Sequence, residues 1–169
     1  LHEREIMSDT AGCSHVRLAF HDFESGNATD TASHLASPGH DSRQSLQMSS
    51  RVPFSPGLRT RFRDLKPAGD DWIKVTGYVW FSCRPEEAKC SLVATCNHRG
   101  VNFKYLFLAC EEENLKPGRW NRVSLDYRIP AAPDPDDVLQ AYFWYRGGET
   151  MLVDDIEVEM YHKNYEVAK

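Results

Sequence analysis

Apolar and polar residues alternate at every second position along most of this chain, and that period specifies half-buried β-strands rather than helices. The stretches that carry it are HVRLAFHDFES (15–25), RQSLQMSSRV (43–52), GLRTRFRDL (57–65), DDWIKVTGYVWFSC (70–83), KCSLVATCNH (89–98), VNFKYLFLAC (101–110), GRWNRVSLDYRIP (118–130), VLQAYFWYRGG (138–148) and TMLVDDIEVEM (150–160). Gly/Pro/Asp-rich punctuation separates them: GNATDTASHLASPGHDS (26–42), KPAGD (66–70), His98-Arg99-Gly100 and PAAPDPDD (130–137). A helical period is confined to one turn's worth of sequence at PDDVLQ. Eight or nine short strands in this arrangement predict an all-β, antiparallel sandwich or barrel.

A chain of 169 residues suits one domain with a continuous core. The pattern bounds a sandwich over 16–162, with 1–14 a polar remnant or extra edge element and 163–169 a tail. A net charge of -5 argues against a basic footprint for nucleic acid, and no apolar run is long enough for membrane insertion. No signal peptide is visible, and a chain opening on Leu1 rather than Met reads as processed or truncated.

The five cysteines, at 13, 83, 90, 96 and 110, are too few and too irregular for a disulfide-dense miniprotein. Cys83 and Cys90 flank RPEEAK, and Cys90 and Cys110 become neighbours if CNHRGVN makes a turn. Buried free thiols are the plainer alternative. Zinc spacing is absent. Catalysis is not expected: Glu111-Glu112-Glu113 reads as a solvated corner, and GxSxG, P-loop and HExxH motifs are missing.

Strand parity selects a binding face. If Val79, Phe81, Phe143, Val123 and Leu125 point into the core, then Tyr78, Trp80, Tyr142, Trp144, Arg122, Asp126 and Arg146 point away from it. Flat aromatic planes suit the C–H faces of sugars, and charged groups suit their hydroxyls. The competing reading is that aromatics simply favour strands. Trp72 and Trp120 follow turns and are expected to be packing anchors.

In MLVDDIEVEM, counting back by twos from Met160, Val158 and Ile156 places Asp154 with Leu152 on the apolar face and Asp155 on the opposite one. An inward carboxylate needs a cation or donors, such as backbone N–H groups or an arginine like Arg17.

The order HDFES, GHDSRQSLQM, DDWIKVTGYVWFS, LKPGRWNRVSLDYRIP, AYFWYRGGETMLVDDIEV resembles the jelly-roll carbohydrate-binding modules with a galactose-binding-domain-like fold, over roughly 16–162. Those modules are accessory domains of polysaccharide-degrading enzymes and surface glycan-binding proteins. The resemblance implies a non-catalytic domain that takes an oligo- or polysaccharide by stacking on Trp80 or Trp144, with Arg122, Asp126 and Arg146 as polar partners. It implies attachment to neighbouring domains and a secreted, periplasmic or cell-surface location. It also implies a structural calcium ion, with Asp22 and Glu24 of Asp22-Phe23-Glu24, Asp154, and the Gly39-His40-Asp41 loop, including the Asp41 carboxylate, as ligands. The alternative is a protein-interaction or structural sandwich of a larger extracellular protein.

Overall fold

The computed structural model describes residues 12–24, 35–36 and 38–163. Most of the expected terminal segments lie outside these residues, although Cys13 and Ser14 open the first strand and Lys163 closes the last. The strands are β1 (Cys13–His21), β2 (Leu35–Ala36), β3 (Ser45–Met48), β4 (Leu58–Arg61), β5 (Trp72–Trp80), β6 (Cys90–His98), β7 (Val101–Ala109), β8 (Asn121–Arg128), β9 (Val138–Tyr145) and β10 (Met151–Lys163).

Every pairing between them is antiparallel. One sheet has the order β2-β3-β10-β5-β8 with β1 also on β10, and the other has the order β4-β9-β6-β7. The expected β-sandwich is therefore the observed one.

Alternation builds the core. Ile73, Val75 and Val79 of β5, with Val123, Leu125 and Tyr127 of β8, meet Leu92, Ala94 and Cys96 of β6 and Leu139, Ala141 and Phe143 of β9. At Gly77 the two layers approach closely, since a Cβ there would lie 2.6 Å from the Phe143 ring. GLRTRFRDL is a strand only to Arg61. Phe62 then turns into the core as the first residue of a single helical turn, α1 (Phe62–Leu65), and its N–H is donated to the Asp137 carbonyl at 2.9 Å.

Parity does not run unbroken through β10. Asp154 lies opposite Tyr78 and Glu157 opposite Thr76, so Asp155 and Ile156 together face Gly77. Asp155 absorbs the extra residue with a φ of 46°, a left-handed conformation that aspartate tolerates better than most side chains. Met151 and Val153 thus point inward before the bulge, and Ile156, Val158 and Met160 after it. Asp154 shares the outer face with Leu152 and Tyr78, a correction to the inward placement. The two carboxylates are not separated as expected: the His40 N–H bonds Asp154 at 2.7 Å, while its ring Nδ1 meets the Asp155 carboxylate at 2.8 Å.

All five cysteines are free, with Cys90, Cys96 and Cys110 buried. The β6–β7 register leaves Cys90 beside Cys110, and their thiols are in hydrogen-bond contact.

Candidate functional site on the four-stranded sheet

Because Leu139, Ala141, Phe143 and Tyr145 of β9 face the core, Tyr142 and Trp144 stand on the outside of the four-stranded sheet. The segment leading into β4 extends this surface. Pro53 accepts from the Tyr145 N–H at 2.7 Å, the Ser55 N–H is donated to Phe143 at 3.0 Å, and the Phe143 N–H to Ser55 Oγ at 2.9 Å. These bonds hold Phe54 opposite Trp144, with 56% of its surface exposed between two prolines. Its ring lies near-parallel to Trp144 at 6.4 Å and edge-on to Tyr142 at 5.7 Å.

On the far side of β9, the outward residues of β6 (Ser91, Val93 and Thr95) are buried beneath their neighbours. Beyond them β7 raises Phe103, Tyr105 and Phe107, all substantially exposed. Val93 lies opposite both Tyr142 and Phe107, so the β9 and β7 aromatics flank one buried row. Burial pushes the phenols of Tyr105 and Tyr142 above their ordinary range, keeping both as neutral hydroxyls.

Polar groups frame the rings. Arg146 lies 5.5 Å from the Trp144 ring centre and donates to Ser91 Oγ at 2.8 Å and Glu111 at 2.5 Å. A groove of about 390 Å³ runs past Phe54, Gly57, Arg59, Gln140 and Tyr142. Thr95 Oγ1, buried on the same face opposite Gln140 and Tyr105, has no hydrogen-bond partner among the described residues.

The seven residues predicted as one ligand face are divided by this arrangement. Tyr142, Trp144 and Arg146 are together on the four-stranded sheet. Tyr78, Trp80, Arg122 and Asp126 lie across the core, on the outside of the six-stranded sheet. The sequence reading of inside against outside is right, but the outside is two surfaces.

The second surface is less available. The His40 ring covers Tyr78, with centroids 3.5 Å apart, and Trp120 meets His40 edge-on. Asp126 is buried, 3.4 Å from Lys74, and burial raises its pKa despite that cation. Trp72 is packed, as an anchor would be, 2% exposed beneath the Arg128 guanidinium, whereas Trp120 is only half-buried.

Phe54, Phe103, Tyr105, Phe107, Arg59 and Gln140 were not singled out in the sequence. The β7 aromatics carry a readable alternation in VNFKYLFLAC, whereas Phe54 belongs to no periodic run.

Of the predicted calcium ligands, Asp154 and Glu24 both bond the 38–44 loop. Asp154 is fully buried, its Oδ2 accepting from the His40 N–H at 2.7 Å and Ser42 Oγ at 2.9 Å, and its Oδ1 from the Asp155 N–H at 2.8 Å. Glu24 accepts the Gln44 N–H at 2.5 Å, and Asp22 accepts the Glu24 N–H at 3.1 Å. Asp41 is turned to solvent, with its carboxylate 3.6 Å from His40 Nε2, and does not join them. Arg17 pairs with Glu157 at 2.7 Å rather than with Asp154. Among the described residues no three His, Cys, Asp or Glu side chains form a ready-made metal cluster. Burial is the main reason that Asp154 is pushed up to about 6, with three donors acting against it.

No family model and no curated protein matches the sequence. The fold is nonetheless shared with solved structures. The CBM22-2 xylan-binding domain of Xyn10C from Paenibacillus barcinonensis aligns with a TM-score of 0.50 at 17% identity, covering 83% of this chain and 97% of that one. The CBM22-1–CBM22-2 tandem from the same Xyn10C aligns at 0.52 and 17% identity, covering 85% of this chain and 50% of that one. The class defined by the fold is thus the two-sheet antiparallel β-sandwich, which those xylan-binding domains share. What the chain binds has to be argued from its own surface.

Proposed function

We propose that this chain is a non-catalytic carbohydrate-binding module that holds an oligo- or polysaccharide along the outer face of the four-stranded sheet. The observation that carries this reading is the joining of Phe54, Tyr142 and Trp144 beside a groove whose other side chains are mostly neutral. Aromatic planes in fixed positions offer contact area at little rotamer cost, and Gln140 and the Arg146–Glu111 pair offer donors and acceptors to sugar hydroxyls. The xylan-binding description of the structural neighbour supports the same ligand class. A module of this kind acts by keeping attached domains at a polysaccharide, which suits a secreted, periplasmic or cell-surface setting.

Calcium belongs to the same reading. Asp154 is a buried carboxylate with no cation beside it among the described residues, and Glu24 reaches the same loop from the β1 side. Asp22, Glu24, Asp154 and loop oxygens are the hard donors that calcium favours. The ion would supply positive charge that fastens the 38–44 loop to β10.

Affinity electrophoresis of the intact chain through gels containing soluble xylans, glucans and mannans tests the function. Retardation by at least one polysaccharide, lost in Trp144→Ala, is the expected result. Unretarded migration in all of them would overturn the reading in favour of a protein-docking sandwich.

A further inference from the structure

We propose that the groove recognises acidic glycans, with Arg59 as the residue that engages a sugar carboxylate; this rests on the saccharide-binding reading above. The LRTRFRDL segment carries three arginines in alternation, at 59, 61 and 63. Two of them are neutralised. Arg61 Nε bonds Asp64 at 3.2 Å, and Arg63 pairs with Asp136 at 2.6 Å. Arg59 has no ion pair with any described residue.

Its position makes that cation relevant. Arg59 lies opposite Gln140 on β9 and, among the described residues, is the only charged one lining the groove of about 390 Å³ beside Phe54 and Tyr142. It also lines the adjoining depression of about 350 Å³, where the Asp64 carboxylate is already held by Arg61. Arg59 therefore stands at the junction of two neighbouring hollows, next to the aromatic cluster, in a chain whose net charge is -5.

A saccharide resting on Tyr142 and Phe54 would bring its ring substituents within reach of this guanidinium. A neutral hydroxyl would satisfy one N–H at most. A uronate carboxylate accepts two in parallel, because the planar fork of arginine matches its geometry. Exposure to water keeps the gain modest and sensitive to salt.

The test compares glucuronoxylan and polygalacturonate with the same polymers after their carboxyl groups have been reduced to alcohols. Binding of the intact chain is measured at low and high salt. The expected result is about three- to tenfold tighter binding of the carboxylate forms at low salt, diminishing at high salt. Arg59→Gln should bring the acidic-to-reduced affinity ratio close to one. Arg59→Lys should keep salt dependence but reduce the ratio, since it retains charge and loses the fork. Equal affinity for acidic and reduced polymers, or an unaltered ratio in Arg59→Gln, would overturn the proposal while the saccharide reading stands. Absence of binding to every polymer, reduced or not, would overturn both.

Discussion

Phe54 and Trp144 stand 6.4 Å apart with their rings 14° from parallel, on a loop segment and a strand that come together only because Pro53 and Ser55 bond to β9. This pairing, rather than any single strand, defines the proposed ligand surface. Phe54→Ala and Trp144→Ala should each weaken glycan binding about tenfold or more, as truncation of a well-placed aromatic anchor does. Trp80→Ala should leave the dissociation constant within about twofold, because Trp80 is opposite Leu152 on the other sheet. Titration calorimetry of the three variants against the best-bound polysaccharide checks this. A loss in Trp80→Ala equal to that in Trp144→Ala would move the site across the sandwich.

Alternation reports one bit per residue, inward or outward, and it reads that bit well: Val79, Phe143, Val123 and Leu125 are core as their parity requires. It carries no label for which outer surface a residue reaches. Tyr78 and Tyr142 occupy equivalent places in equivalent strands, yet the strand order sends them to opposite sides of the molecule. Strand order depends on long-range pairing, which a local period cannot encode. The bulge at Asp155 is invisible for a related reason, since a single left-handed residue shifts all later parity without altering the apolar content of the strand. Phe54 lies between strands and has no period at all.

Asp154 links the 38–44 loop to β10 through His40, Ser42 and the Asp155 N–H. With calcium bound preferentially to the native state, chelator should lower the melting temperature. Asp154→Ala should remove that sensitivity and cost about 2–4 kcal/mol in its own right, because it strands buried donors. Thermal melts of both proteins with and without chelator decide the matter. A wild-type curve indifferent to chelator would eliminate the ion while leaving the hydrogen-bonded role of Asp154 intact.

Asp126 offers a pH test away from the aromatic face. Burial raises its pKa more than Lys74 and Arg122 lower it, and the Lys74 ammonium reaches its Oδ1 only at 3.4 Å. Between the ordinary carboxylate value and the raised one, the native state holds a proton that the unfolded chain has lost. Stability from this group therefore falls as pH rises through that window and is level above it. Asp126→Asn removes the dependence, so its urea midpoint relative to wild type should climb as pH rises above the ordinary carboxylate value and then stay constant. A difference that is flat or declining across that range would contradict the raised pKa.

The thiols give the last test. Cys90 is buried and held well above its ordinary pKa, first by its hydrogen bond to Cys110 and then by burial, while burial pushes Cys96 up to about 11. Thiolate is the reactive form, so neither should alkylate in the native protein. Cys13 and Cys83 are only partly buried, and brief treatment with iodoacetamide at neutral pH should label them first. Peptide mass mapping should find Cys90, Cys96 and Cys110 modified only after denaturation. Native labelling of Cys90 or Cys110 at the rate of Cys83 would mean that the β6–β7 end opens readily. The aromatic ridge of Phe103, Tyr105 and Phe107 would then rest on a frayed edge strand rather than a fixed one.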